Sequence, residues 1–179
     1  MLKFTYTHIM LIRTYYLHAR WLKMGKSVCF TGHRALGNDF DINLLRSYIM
    51  ELIENEGAST FIVGGALGFD TVVAEEILAL KKSGCEIELH VYVPCSNQSA
   101  KWSERDKKRY ENILKQADYV DAVNEPYFDG CMRIRNYKMV DNADFCICYF
   151  TGKPSGTSQT VSYARKKGLR VLNTCTKQA

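Results

Sequence analysis

The chain has 179 residues, 46% hydrophobic and 24% charged, an ordinary globular mixture that suits one domain. It contains no uninterrupted apolar run of about 18 residues, so no transmembrane helix is indicated. The formal net charge is +5, yet all 19 acidic residues lie at or after Asp39; residues 1–38 carry +6 and the remainder −1, so the globular part shows no electrostatic footprint for DNA.

Residues 1–23 are basic and aromatic and contain no acid. Arg13 breaks their apolar run and no small-residue cleavage site follows, so they do not read as a signal peptide. Such a segment could touch a membrane surface. The plainer reading is a non-native or upstream-start extension, with "MGKSVCF" at Met24 as the beginning of the domain. From there strands and helices alternate. "KSVCFTG" (26–32) reads as a short buried strand. Residues 41–57 place Leu44, Leu45, Tyr48, Ile49, Leu52 and Ile53 at helical spacing, with Asp41 as a cap and Gly57 as a stop. "STFIV" (59–63) is the next strand, and residues 70–82 form a helix. "EIELHVYVP" (86–94) is a third strand, followed by a charged helix over 103–116. "YVDAV" (119–123) is a fourth strand, and residues 131–141 are helical. "DFCICYF" (144–150) is almost wholly apolar and reads as a central strand. A helix over 157–167 and the strand "LRVLN" (169–173) complete the pattern. The alternation predicts an α/β fold in which residues 24–179 form one three-layer, Rossmann-like domain, with a largely parallel sheet and helices on both faces.

Open parallel sheets bind ligands at the carboxyl ends of their strands. The segments that follow the strands here are "TGHR" (31–34), "GGALGFD" (64–70), "PCSNQSAKW" (94–102), "NEPYFDGCMRIRN" (124–136) and "TGKPSGTSQT" (151–160). Glycines, hydroxyls, amides, a histidine and arginines thus collect at one edge. Two of these loops run from strand through glycines into helix, a junction that presents backbone N–H groups at the positive end of a helix and suits a phosphate. In the first, Gly64, Gly65 and Gly68 suggest that something approaches the main chain closely. In the second, Ser155, Thr157, Ser158 and Thr160 add hydroxyls. Neither loop is a Walker motif or G-x-G-x-x-G. Asp70 could cap the helix starting at Thr71, accept from a ribose hydroxyl, or both. His33 and Arg34 are a surface pair or ligand contacts. Arg133 and Arg135 lie two apart on a helix, so at most one points easily into the site. Trp102 and Tyr127 could stack on a base or seal loop packing, and packing is the plainer reading for Trp102.

The seven cysteines lack C-x-x-C or zinc-type spacing, so no metal site is expected and they read as reduced, mostly buried thiols of a cytoplasmic protein.

"CFTGHR", "GGALGFDTVVAEEIL", "VPCSNQSAKW", "YFDGCMRIRNYKMVDNADFCICYF" and "GTSQTVSYARKKG", in that order, resemble the YpsA-like proteins. These belong to the SLOG superfamily, named after the DNA-processing Smf/DprA proteins and the LOG cytokinin-activating enzymes. The resemblance runs from about Ser27 to Leu172. It implies a Rossmann-like fold that binds a nucleotide or an ADP-ribose-like derivative as a sensor or regulatory protein, with GGALGFD as phosphate loop. It places Gly32, His33, Arg34, Gly64, Gly65, Gly68, Asp70, Met132, Arg135, Asn136, Gly152, Ser155, Gly156, Thr157 and Thr160 at the ligand. It also implies a homodimer. No cofactor is required beyond the bound ligand. LOG enzymes hydrolyse the N-glycosidic bond of a nucleoside monophosphate. Their M-x-x-R-K motif matches Met132, Arg135 and Asn136, which puts Arg135 on the catalytic arginine. Their catalytic glutamate falls on Thr160, which cannot stabilise a ribosyl cation or activate water as a carboxylate does. Asp70, Asp141 or Asp144 could substitute only from a place near the ribose. A phosphoribohydrolase is therefore the second reading. DprA-like binding of single-stranded DNA is the third, disfavoured by the neutral globular part.

Overall fold

A computed structural model describes residues 25–122 and 125–176. The reading of residues 1–23 as an extension falls outside them. Six strands, β1 (Lys26–Gly32), β2 (Ala58–Val63), β3 (Glu88–Val93), β4 (Tyr119–Ala122), β5 (Phe145–Tyr149) and β6 (Arg170–Asn173), form one sheet in the order β4-β3-β2-β1-β5-β6. Every neighbouring pair runs parallel. Five helices connect them: α1 (Ile42–Glu56), α2 (Phe69–Lys82), α3 (Glu104–Gln116), α4 (Cys131–Asp141) and α5 (Gly156–Lys166). The expected α/β, Rossmann-like architecture is the one observed.

The sheet separates two cores. On one face Leu45, Ile49 and Leu52 of α1, Val73 and Ile77 of α2, and Tyr110 and Ile113 of α3 pack with Val28, Phe61, Leu89 and Ile147. On the other face Met139 and Val140 of α4 and Ala164 of α5 meet Cys29, Ile62, Tyr92 and Cys146. The alternation of strand side chains assigns neighbouring residues to opposite cores. All five residues of β5 are buried, in keeping with its apolar sequence and a place between β1 and β6. Asp41 caps α1 by accepting from the N–H groups of Asn43 at 2.8 Å and Leu44 at 3.2 Å. Gly57 ends the helix at φ 69° and returns its N–H to Leu52.

The seven cysteines are reduced thiols, six of them buried. Among the described residues no cluster of His, Cys, Asp or Glu could hold a metal ion, and no helix is long and apolar enough to cross a membrane.

Candidate functional site

The chain moves outward from β1 to β4, then returns to place β5 on the other side of β1. Helix α1 leaves β1 toward one face and α5 leaves β5 toward the other, so the loops after these two strands part and open a crevice. His33 and Thr151 link the two loops. The His33 Nε2 accepts from the Thr151 N–H at 3.3 Å and lies 3.2 Å from the Thr151 hydroxyl. Burial pushes the His33 pKa below its ordinary value, against a smaller opposing pull from Asp39, and the neutral ring suits an accepting nitrogen. Arg34 beside it is exposed.

In the loop after β2, the close approach to the glycines is made by the protein itself. A Cβ on Gly64 would collide with the Arg135 guanidinium and the Asp70 carboxylate. Gly68 has φ 78°, and a Cβ there would strike the Arg34 carbonyl. Helix α2 starts at Phe69, one turn position earlier than expected, and Gly68 is its N-cap residue without a side-chain bond. The expected cap role of Asp70 is therefore not realised. Asp70 sits inside the first turn and folds back to accept from the Ala66 N–H at 3.2 Å. It is 6% exposed. Burial pushes its pKa up, while Arg135 and the backbone groups of Ala66 and Gly64 counter that push.

Arg135 is the inward-pointing arginine of the pair on α4; Arg133 is exposed. Its Nη1 donates to the carbonyl oxygens of Gly64 and, at 3.2 Å, Tyr92. Its Nε donates to Asn136 Oδ1 at 2.8 Å. The Asp70 carboxylate lies 4.0 Å from Nη1. Asn136 Nδ2 then donates to Thr160 Oγ1 at 3.0 Å, and Thr160 donates to the Gly156 carbonyl at 2.8 Å. One hydrogen-bonded chain thus runs from the loop after β2, through α4, to the first turn of α5. Burial lowers the Arg135 pKa and Asp70 raises it; the guanidinium stays charged. Tyr110 packs beneath Gly65 and burial pushes its pKa up to about 12, so it is neutral.

The first turn of α5 has a capping box: Ser155 Oγ accepts from the Ser158 N–H at 3.2 Å, and Ser158 Oγ accepts from the Ser155 N–H at 2.8 Å. Thr157 is buried. Among the described residues, no atom outside its chain neighbours and its own helical turn lies within 4 Å of the Cβ position of Gly156, so its approach is open, unlike that of Gly64. Gly152, at φ 85°, turns the chain into this loop, and Met132 is half-buried at the start of α4. Gly32 faces inward, where a Cβ would meet the Phe69 ring. Trp102 packs edge-on against Tyr110 with ring centroids 5.2 Å apart, whereas Tyr127 is exposed.

Sequence reasoning missed Gln98 and Thr151. Gln98 Nε2 donates to the Gly65 carbonyl at 2.8 Å and ties the loop after β3 to the loop after β2. Its place in a polar segment after a strand was the available signal.

The YpsA model, described as the YspA SLOG family, matches residues 38–171. The chain belongs to this family. A UPF0398 protein of Halalkalibacterium halodurans is 30% identical over 138 residues, covering 75% of this chain and 72% of that one. The SPbeta prophage-derived protein YoqJ of Bacillus subtilis is 31% identical over 137 residues, covering 70% and 80%. Among solved structures, DNA processing protein A of Helicobacter pylori, described with a single-stranded DNA binding mode, superposes with a TM-score of 0.59 at 20% identity over 86% of this chain and 67% of its own. DprA of Streptococcus pneumoniae gives 0.61 at 19% identity over 85% of this chain and about half (51%) of its own. These two likenesses concern the fold. They lend no support to the reading above, drawn from charge, that disfavours nucleic acid.

Of the three acids weighed as substitutes for a catalytic carboxylate, only Asp70 stands at this edge. Asp144 accepts from the Ser27 N–H at 2.8 Å, at the opposite end of β1. Asp141 ends α4 and pairs with Lys167 at 2.6 Å.

Proposed function

We propose that this protein binds a nucleotide-derived, phosphate-bearing ligand in the crevice after β1 and β5 and acts as a sensor. The observation that carries this reading is the hydrogen-bonded chain from Arg135 through Asn136 and Thr160 to Gly156. It holds a buried cation in register with the open first turn of α5, where Gly156 leaves room for an anion and the helix dipole favours one. Exposed Arg34 and Lys153 add positive charge at the same edge. The engagement of Thr160 and Asp70 within the protein supports binding over N-glycosidic hydrolysis. Thr160 is spent on Asn136 and Gly156, and Asp70 is spent on Ala66 and Arg135.

The test is mass spectrometry of small molecules released on denaturation, followed by calorimetry against AMP, ADP and ADP-ribose and chromatography of the incubated mixtures. Binding with the ligand recovered intact is the expected result. Release of free base and ribose phosphate would make the protein a hydrolase. No binding by any of the three, with nothing released, would end the nucleotide reading.

Single-stranded DNA is the second reading. It rests on the fold shared with DprA and on exposed Arg34, Arg133 and Lys153 around one edge. A mobility shift of single-stranded DNA that weakens with salt would support it.

A further inference from the structure

His33 sits where the chain leaves β1, and Thr151 where it leaves β5, 118 residues later in sequence. The His33 ring stands edge-on to Tyr149, with ring centroids 5.5 Å apart, and lies 6.4 Å from the Phe150 ring. Its backbone carbonyl accepts from the Phe69 N–H at 3.2 Å. Main chain and ring are both held, with Nε2 facing Thr151.

An imidazole nitrogen that accepts from an amide N–H carries a lone pair, so the ring proton is assigned to Nδ1. Nε2 then accepts from the Thr151 hydroxyl as well, 3.2 Å away. Protonation reverses these roles. An imidazolium has two N–H groups and no acceptor. It can keep the Thr151 hydroxyl by donating to its oxygen. It must give up the Thr151 amide, because two donors would face each other. The change leaves a cationic ring beside a released main-chain N–H, in the loop that leads to Gly156. Both suit an anion: the ring by a charge-assisted hydrogen bond, the amide as one more donor on the approach to the α5 N-terminus.

The groups around the ring set when this happens. Asp39, whose carboxylate accepts from the Tyr149 hydroxyl, draws a proton onto His33, and Lys153 in the loop after β5 opposes it. Tyr149 is neutral, since burial and the bond to Asp39 push its pKa up. Arg34, the next residue, is exposed. On α2, Asp70 is turned to Ala66 and Arg135. Burial outweighs Asp39 and holds the ring below its ordinary pKa of about 6.5. The accepting form therefore holds at neutral pH, and the donating form is reached on acidification. An anion beside the ring raises its pKa in turn, so ligand and proton are taken up together.

We infer that protonation of His33 switches its tether to Thr151 from accepting to donating and raises the affinity of the crevice for a phosphate-bearing ligand, a regulation that rests on the anion-binding crevice proposed above.

Two experiments on the full chain test it. In the ligand-free protein, nuclear magnetic resonance follows the His33 ring and the Thr151 amide as pH falls from about 8 to about 5. The amide proton should move upfield with the same midpoint as the ring. An amide that does not follow the ring overturns the switch, whether or not any ligand binds, and this arm needs no variant.

In the second, calorimetry measures ADP-ribose at the same two pH values, because its pyrophosphate carries the same charge at both. Binding should tighten by about fivefold or more at the lower pH. His33→Gln, whose side-chain oxygen can accept from Thr151 but never becomes a cation, should lose that gain. Equal affinity at both pH values, or a gain that persists in His33→Gln, overturns the inference and leaves the anion site standing. ADP-ribose that binds at neither pH overturns it too, and takes the nucleotide reading with it if AMP and ADP also fail.

Discussion

Asn136 donates to Thr160 across 3.0 Å, and this one contact joins α4 to the first turn of α5. Thr160 is 2% exposed, and its hydroxyl passes the bond on to the Gly156 carbonyl. Thr160 is thus a structural relay between α4 and the first turn of α5.

Thr160→Val should therefore cost about 0.5–1.5 kcal/mol, because it leaves the half-buried Asn136 amide without its acceptor. Thr160→Ser keeps the hydroxyl and should unfold near the parent. Urea unfolding of the two variants separates loss of the bond from loss of the methyl group. Equal stability of the valine and serine variants would show that the bond contributes nothing.

Arg135 and Asp70 form a buried pair, each 8% or less exposed. Removing one partner strands the other charge. Arg135→Met should cost about 3–5 kcal/mol, and Asp70→Asn should also destabilise. The double variant should lose clearly less than the sum of the two, with a coupling of about 1 kcal/mol or more by a double-mutant cycle. Strict additivity would mean that the two side chains do not interact.

The glycines of the two loops should respond differently to a methyl group. Gly64→Ala forces the Arg135 guanidinium and Asp70 apart and should cost about 1–3 kcal/mol by overpacking. Gly156→Ala meets open space and should change stability by no more than about 0.5 kcal/mol. The same methyl group obstructs the proposed anion approach, so Gly156→Ala should weaken nucleotide affinity while the fold is kept. Thermal denaturation and calorimetry on the two variants check both halves.

Asp118 supplies a pH signature. Burial works to raise its pKa, but the hydrogen bonds from Lys81 and from the Leu89 N–H prevail and hold it below the ordinary carboxylate value. A depressed folded pKa stabilises the protein above the unfolded value, about 3.9, and that contribution is lost as pH falls through the folded value. Asp118→Asn should therefore cost about 0.5–1 kcal/mol at neutral pH, and the gap to the parent should close toward pH about 3. Denaturant unfolding at both pH values measures it. A gap that widens on acidification would reverse the assigned sign.

The order of strands and helices was legible from local patterns alone. Apolar runs such as Phe145–Tyr149 and the spacing of Leu45, Ile49 and Leu52 reflect which side chains must leave water, and that demand is written residue by residue. Asp41 and Gly57 were readable as a cap and a stop for the same local reason. The collection of polar loops at one edge followed from the parallel alternation. Even the choice of Arg135 over Arg133 needed only helical geometry and the resemblance.

What the tertiary structure decided was the identity of the groups that meet. The three glycines of VGGALGFDT announced a close approach, but not that Arg135, 71 residues from Gly64, makes it. Local rules leave Asp70 as a helix cap, a ribose contact or both; in the fold it accepts from the Ala66 N–H and lies 4.0 Å from the buried Arg135 guanidinium. Gln98 and Thr151 gained their contacts only when strands distant in sequence became neighbours in the sheet. Hydrophobic periodicity is a property of one segment facing water, so the sequence by itself carries it. Pairing of buried charges, loop carbonyls and strand edges is a property of two segments at once, so only the folded arrangement sets it.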